Sequence, residues 1–121
     1  MREHKIRVWN GEELLGPFDL TQNPKYWADK LQDGEIMQYT GLKDKNGREI
    51  YEGDIIALEV IKGVKIKVPV KFENGSFNIH EIPGGYGFSD TAYPLGKLFL
   101  RDFGIEAIGN IYENPELLEG K

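Results

Sequence analysis

The sequence contains no cysteine, two histidines, two methionines and two tryptophans. Without cysteine, disulfide staples, thiolate metal centres and thiol redox chemistry are excluded. No uninterrupted apolar run approaches the roughly 20 residues needed to cross a bilayer. Met1-Arg2-Glu3-His4-Lys5 is not followed by an apolar segment, so neither a signal peptide nor a membrane partner is expected, and the expected location is the cytoplasm. Bases are fewer than acids, 15 against 20, for a net charge of −5. What is present suffices for a core: Leu, Ile, Val and Phe make up 34 of 121 residues, above the roughly one-fifth below which chains stay disordered. A chain of this length buries about two-thirds of its unfolded surface, so one domain over residues 1–121 is expected. Its 15 glycines and 6 prolines predict many tight turns and few long helices.

Apolar and polar residues alternate from Lys5 to Trp9, and Asn10-Gly11 offers a two-residue turn, predicting an N-terminal hairpin. Asn23 as cap, Pro24 in the first turn and Gly34 past the end predict a two-turn helix from Pro24 to Leu31. Met37-Gln38-Tyr39 reads as a short strand. Asn46-Gly47, between Leu42 and Ile50, reads as a type I′ turn with positive φ at both positions. A meander follows: Ile55 to Ile61, a turn at Lys62-Gly63, Val64 to Phe72, a turn at Asn74-Gly75, and Phe77 to Ile82. Pro69 cannot donate to a ladder, which puts its strand at an edge or a bulge. Pro83 to Gly87 reads as a loop, Leu98 to Leu100 and Glu106 to Tyr112 as the last strands, and Asn114 to Glu119 as one capped helical turn. The expected fold is all-β: a small, partly open barrel of five or six strands with an N-terminal hairpin segment and short helices.

No catalytic residue, metal site or cofactor is predicted. His4 and His80 lie outside any motif, and His80 and its neighbour Glu81 point to opposite faces of a strand. Glu49, Glu52 and Asp54 lack the alternating oxygen ligands of a calcium loop, and Asp54 is expected to accept backbone N–H groups at a strand entry. Gly85-Tyr86-Gly87 opens like a dinucleotide fingerprint, but Asp90 stands where the third glycine belongs. One electrostatic feature remains, the run Lys62, Lys65, Lys67 and Lys71, with no acid from position 60 through 72. Lys65, Lys67 and Lys71 are the candidate binding residues. Alternation with Ile66, Val68 and Val70 places them on a solvent face and predicts that Phe72 turns into the core. Lysines on an exposed edge ordinarily guard against strand-to-strand aggregation, and this is the leading reading. The same row would also suit phosphates, with Phe72 and Phe77 to stack bases, or an acidic protein surface. Tyr39, Tyr51 and Tyr112 are expected in core or rim packing.

The block from Met37 to Ile56, including Thr40-Gly41-Leu42-Lys43-Asp44-Lys45-Asn46-Gly47-Arg48-Glu49-Ile50-Tyr51-Glu52-Gly53-Asp54, resembles the signature of the YopX family of small bacteriophage and prophage proteins. The opening Lys5 to Trp9, the hairpin Val70 to Phe77 and the close Ile108 to Leu118 are similar to the same family. The resemblance implies a phage origin, the host cytoplasm and an SH3-like β-barrel, and it supplies no activity and no site residue. SH3-like barrels commonly serve as interaction modules, so the expected function is a non-enzymatic phage accessory protein whose partner is a host or phage protein. The alternative is nucleic-acid binding through the lysine-rich strand 62–71. A third reading, an acidic surface that imitates DNA, draws on the net charge. An enzyme ranks last, and self-association is left open.

Overall fold

The computed structural model describes residues 4–26, 28–29, 34–61, 63–73, 75–79, 93–98 and 104–119. The N-terminal alternation folds as a hairpin: β1 (Lys5–Trp9) pairs antiparallel with β2 (Leu14–Asp19) and buries Ile6 and Val8. The connection is longer than the expected two-residue turn, because Trp9 is the partner of Leu14. Asn10 Oδ1 accepts the N–H groups of Glu12 and Glu13, each at 2.8 Å, so one side chain organises the whole loop. The expected two-turn helix is instead a 3-10 turn at Pro24–Tyr26, with Asn23 Oδ1 accepting the Lys25 N–H at 3.0 Å; Leu31 lies outside the described residues.

The short strand expected at Met37 to Tyr39 is a nine-residue one, β3 (Glu35–Lys43). Its first half pairs with β1 and its second with β4 (Glu49–Tyr51), giving a sheet of order β2-β1-β3-β4. The turn between β3 and β4 is not the type I′ turn. Gly47 N–H donates to the Asp44 carbonyl at 3.0 Å and Asp44 N–H to the Arg48 carbonyl at 2.8 Å, so Asn46 and Gly47 occupy the third and fourth turn positions. That is the pattern of a three-residue hairpin loop closed by a left-handed glycine, and Gly47 has φ of 85°.

A second sheet has the order β10-β5-β6, built from β5 (Asp54–Ile61), β6 (Val64–Pro69) and β10 (Glu106–Asn110). β6 is an edge strand, as Pro69 required. The single strand expected from Val64 to Phe72 divides at Val70, the residue between β6 and the next strand, which still bonds to the β5 entrance: Gly53 N–H donates to its carbonyl at 2.8 Å and its own N–H to the Asp54 carbonyl at 2.9 Å. The chain continues into a third sheet of order β7-β8-β9, made by β7 (Lys71–Glu73), β8 (Ser76–Ile79) and β9 (Tyr93–Pro94). Leu98 ends a helical turn, α1 (Leu95–Leu98), where a strand was expected. β10 stops at Asn110, whose Oδ1 accepts the N–H groups of Tyr112 (3.0 Å) and Glu113 (2.9 Å). α2 (Glu116–Glu119) follows, but the Asn114 side chain does not cap it; Asn114 Oδ1 accepts the Asn110 N–H at 3.2 Å. The expected positions Lys62, Asn74, His80 to Gly87, Asp90, Phe99 and Leu100 lie outside the described residues.

The fold is therefore mainly β, with three antiparallel sheets. Among the described residues no strand pairing joins the three sheets into one closed barrel. The main core gathers residues from all three, including Ile50, Ile56, Leu58, Val68, Val70 and Ile79, while Met37, Tyr39 and Tyr51 form a second cluster. No described helix is long and apolar enough to cross a membrane.

Asp44 ties the first sheet to the second. Its Oδ1 accepts the N–H groups of Asn46 (2.8 Å) and Arg48 (2.9 Å), and its Oδ2 that of Ala107 in β10 (2.8 Å). Burial opposes the charge, but the three donors outweigh it and hold the carboxyl below its ordinary 3.8. A depressed carboxyl stabilises the fold above its unfolded value and loses that contribution as pH falls through the folded one. Asp44→Asn turns an amide toward one of these donors and should cost about 1–3 kcal/mol at pH 7. Urea midpoints between pH 7 and 2 should show the gap to wild type narrowing below the unfolded value of about 3.9; a constant gap would refute the assignment.

Candidate functional site

The lysines of the candidate row are exposed but not collinear. Lys65 and Lys67 project from β6, opposite Glu59 and Ala57 of β5, with Ile66 and Val68 buried on the other face. Lys71 stands on β7, in a different sheet. The triple change of Lys65, Lys67 and Lys71 to Gln should shift the unfolding free energy by no more than about 0.5 kcal/mol per site, because exposed charges contribute little. In a titration with single- and double-stranded DNA and RNA at about 150 mM salt, micromolar wild-type protein should give no binding in the roughly 10⁻⁴ to 10⁻⁶ M range of non-specific binders. Tight binding abolished in the triple variant would reinstate the nucleic-acid reading.

The acids of the Glu49 to Asp54 segment do not converge on a shared centre. Glu49 pairs with Lys5 and accepts the Tyr51 hydroxyl at 2.9 Å. Asp54 pairs with Arg7 and, as expected, accepts a strand-entry N–H, that of Tyr51 at 2.8 Å. Burial pushes the Asp54 carboxyl up, and the Arg7 guanidinium only partly opposes this. Burial and the Glu49 carboxylate push the Tyr51 phenol well above its ordinary range, so it stays protonated. Arg7 lies over the Tyr51 ring at 4.0 Å, and the Tyr51 and Tyr39 centroids are 5.3 Å apart. These alternating charges and rings fasten β1, β4 and β5 together. The expectation that Tyr39 and Tyr51 pack inside holds, and Tyr112 stacks on Trp9 at 5.8 Å.

Glu52 lines instead the smaller of two open grooves that share Phe72 as a wall. Phe72 is 44% exposed, which corrects the expectation that it enters the core. Its ring packs on Phe77 of the short third sheet, with centroids 4.9 Å apart. The larger groove, about 540 Å³, runs between β3 and the β7–β8 hairpin, with Tyr39, Leu42, Phe77 and Leu95 on its walls and Gln38, Thr40 and Ser76 among its polar groups. The smaller, about 260 Å³, lies between Ile36 and Met37 of β3 and residues 70–73, floored by Gly53 and closed by Ile111 and Tyr112. Ile36 matches Phe72 at 44% exposure. The sequence placed Phe72 in the core, with base stacking as its alternative use, and did not single out Ile36. The available signal was Pro69, which ends the ladder and so ends the inference that the same face stays covered.

These features define a mainly β protein of short antiparallel sheets with an aromatic double groove and no assembled catalytic pair among the described residues. A model of the family described as "YopX protein" matches residues 5–119, and the chain belongs to this family. A crystal structure of protein EF1440 from Enterococcus faecalis is similar over 98% of this chain and 99% of its own, with 27% identity and a TM-score of 0.64. The crystal structure of protein YopX from Bacillus subtilis is similar over 94% and 97%, with 22% identity and a TM-score of 0.55. No curated protein matches the chain.

Proposed function

We propose that this chain is a non-enzymatic phage or prophage accessory protein that works in the host cytoplasm by binding a protein partner at the double groove. The observation that carries the reading is Phe72: a large apolar ring left 44% exposed between two grooves. Aromatic side chains at a concave apolar surface are the usual anchors of protein interfaces. An SH3-like relation of the second and third sheets around their common core belongs to the same proposal, and such modules bind through aromatic grooves.

The test is a comparison of tagged wild type with Phe72→Ser in bacterial host lysate, read by quantitative mass spectrometry. Because the ring is exposed, thermal unfolding of the variant should remain close to wild type. One or a few proteins should be enriched by wild type and lost from the variant. An unchanged set of captured proteins, or recovery of nucleic acid in place of protein, would overturn the reading.

A further inference from the structure

The smaller groove has open strand edges, apolar walls and an excess of acidic over basic side chains in one place. Val70 directs both its N–H and its carbonyl toward Gly53 and Asp54. Main-chain groups two residues apart in a strand point the same way, so Phe72 directs its own pair away from β8, along the open edge of β7. On the other wall, the Gln38 carbonyl accepts the Glu52 N–H at 2.8 Å, on the side of β3 away from β1. By the same rule Ile36 sends its N–H and carbonyl to that side. Among the described residues no hydrogen bond pairs these groups, so two strands present open main-chain edges and exposed apolar side chains to one groove.

We infer that this groove binds a short extended peptide carrying a basic side chain, which adds as a strand along β7 between Phe72 and Ile36. The inference rests on the protein-binding reading and names its partner chemistry. At about 260 Å³ the space falls below the roughly 300–1,000 Å³ of small-molecule pockets, and it suits an extended main chain with one inserted side chain. The charge selects a base. Among the described residues the ion pairs are Lys5 with Glu49, Arg7 with Asp54 and Lys45 with Glu106, and Glu52 belongs to none of them. Of the charged side chains that line the groove, Glu52 and Glu73 outnumber Lys71, so the lining carries a net negative formal charge. Consistent with this, the Tyr112 phenol on the same wall is pushed up by burial and then by the carboxylates of Glu35 and Glu52. Burial also raises the Glu52 carboxyl, and a backbone hydrogen bond from Gln38 only partly opposes this, so an incoming cation would relieve a charge that the free protein holds at a cost.

The probe is a fluorescent eight-residue peptide of alternating valine and arginine, titrated into the full chain by anisotropy. Its comparators carry glutamate in place of arginine, or N-methyl groups on one or the other alternate set of amides. Saturable binding is expected for the arginine peptide, at least tenfold weaker for the glutamate peptide and for one N-methylated form. Glu52→Gln should weaken the arginine peptide at least fivefold with thermal unfolding unchanged, and Phe72→Pro, which removes the ring together with the open-edge donor, should weaken it at least tenfold and further than Phe72→Ser, which removes the ring alone. Equal affinity for all peptides, or no saturable binding, overturns the inference. If the peptides fail while Phe72→Ser still loses its lysate partner, strand addition is wrong and the protein-binding reading stands. If neither responds, both are wrong.

Discussion

Asp54→Ala should destabilise the fold by roughly 3–5 kcal/mol, the range found when one member of a buried ion pair is removed. Asp54 is 3% exposed and pairs with Arg7, whose Nε is buried and has no hydrogen-bond partner. Alanine would strand that guanidinium and also orphan the Tyr51 N–H that Asp54 Oδ2 now accepts at 2.8 Å. The remedy follows from the same chemistry. In the double variant Arg7→Met with Asp54→Asn, the charge is gone, the methionine keeps the packing on the Tyr51 ring, and the asparagine oxygen still accepts the Tyr51 N–H. Most of the lost stability should return, because the pair itself contributes little net once both desolvation costs are counted. Urea denaturation of the two variants and wild type measures this directly. Equal losses in both variants would mean that the ion pair is not what joins β1 to β5.

Gly34→Ala should have the second large effect. A Cβ at this position would lie 1.9 Å from the Trp9 carbonyl oxygen, 2.8 Å from its carbon and 3.0 Å from Asn10 Cα. All three are main-chain atoms, so no side-chain rotation relieves the overlap, and the end of β1 must move away from the start of β3. The expected loss is at or above the top of the roughly 1–3 kcal/mol that overpacking usually costs. Gly96→Ala provides the comparison. It sits in the α1 turn with no atom within 4 Å of its Cβ position, and it should be neutral or mildly stabilising through helix propensity. If Gly34→Ala unfolds at the same urea concentration as Gly96→Ala, the close approach is not rigid.

Gly34 shows how the right residue was legible for the wrong reason. A glycine after Asn23 and Pro24 reads as a helix end, but the local sequence cannot register that another strand's carbonyl passes against it. Asn46-Gly47 is similar. The dipeptide located the hairpin correctly, yet Asp44 decided the turn type, because its carboxylate takes the Asn46, Arg48 and Ala107 N–H groups together and one of these comes from 63 residues away.

Alternation by itself determined that Ile66, Val68 and Val70 are buried and that Lys65, Lys67 and Lys71 are exposed, since a period of two assigns faces wherever one face is covered. Composition and turn residues likewise determined a mainly β chain with many reversals. Only the tertiary structure decided what covers each face. Phe72 keeps its period-two position opposite Lys71, but the chain has changed sheets at Val70, and beyond β7 that face meets an open groove instead of the core. Periodicity is a property of one strand, whereas burial requires a second layer; among the described residues no layer covers Phe72 and Ile36, and for that reason the candidate site could not be read from the order of residues.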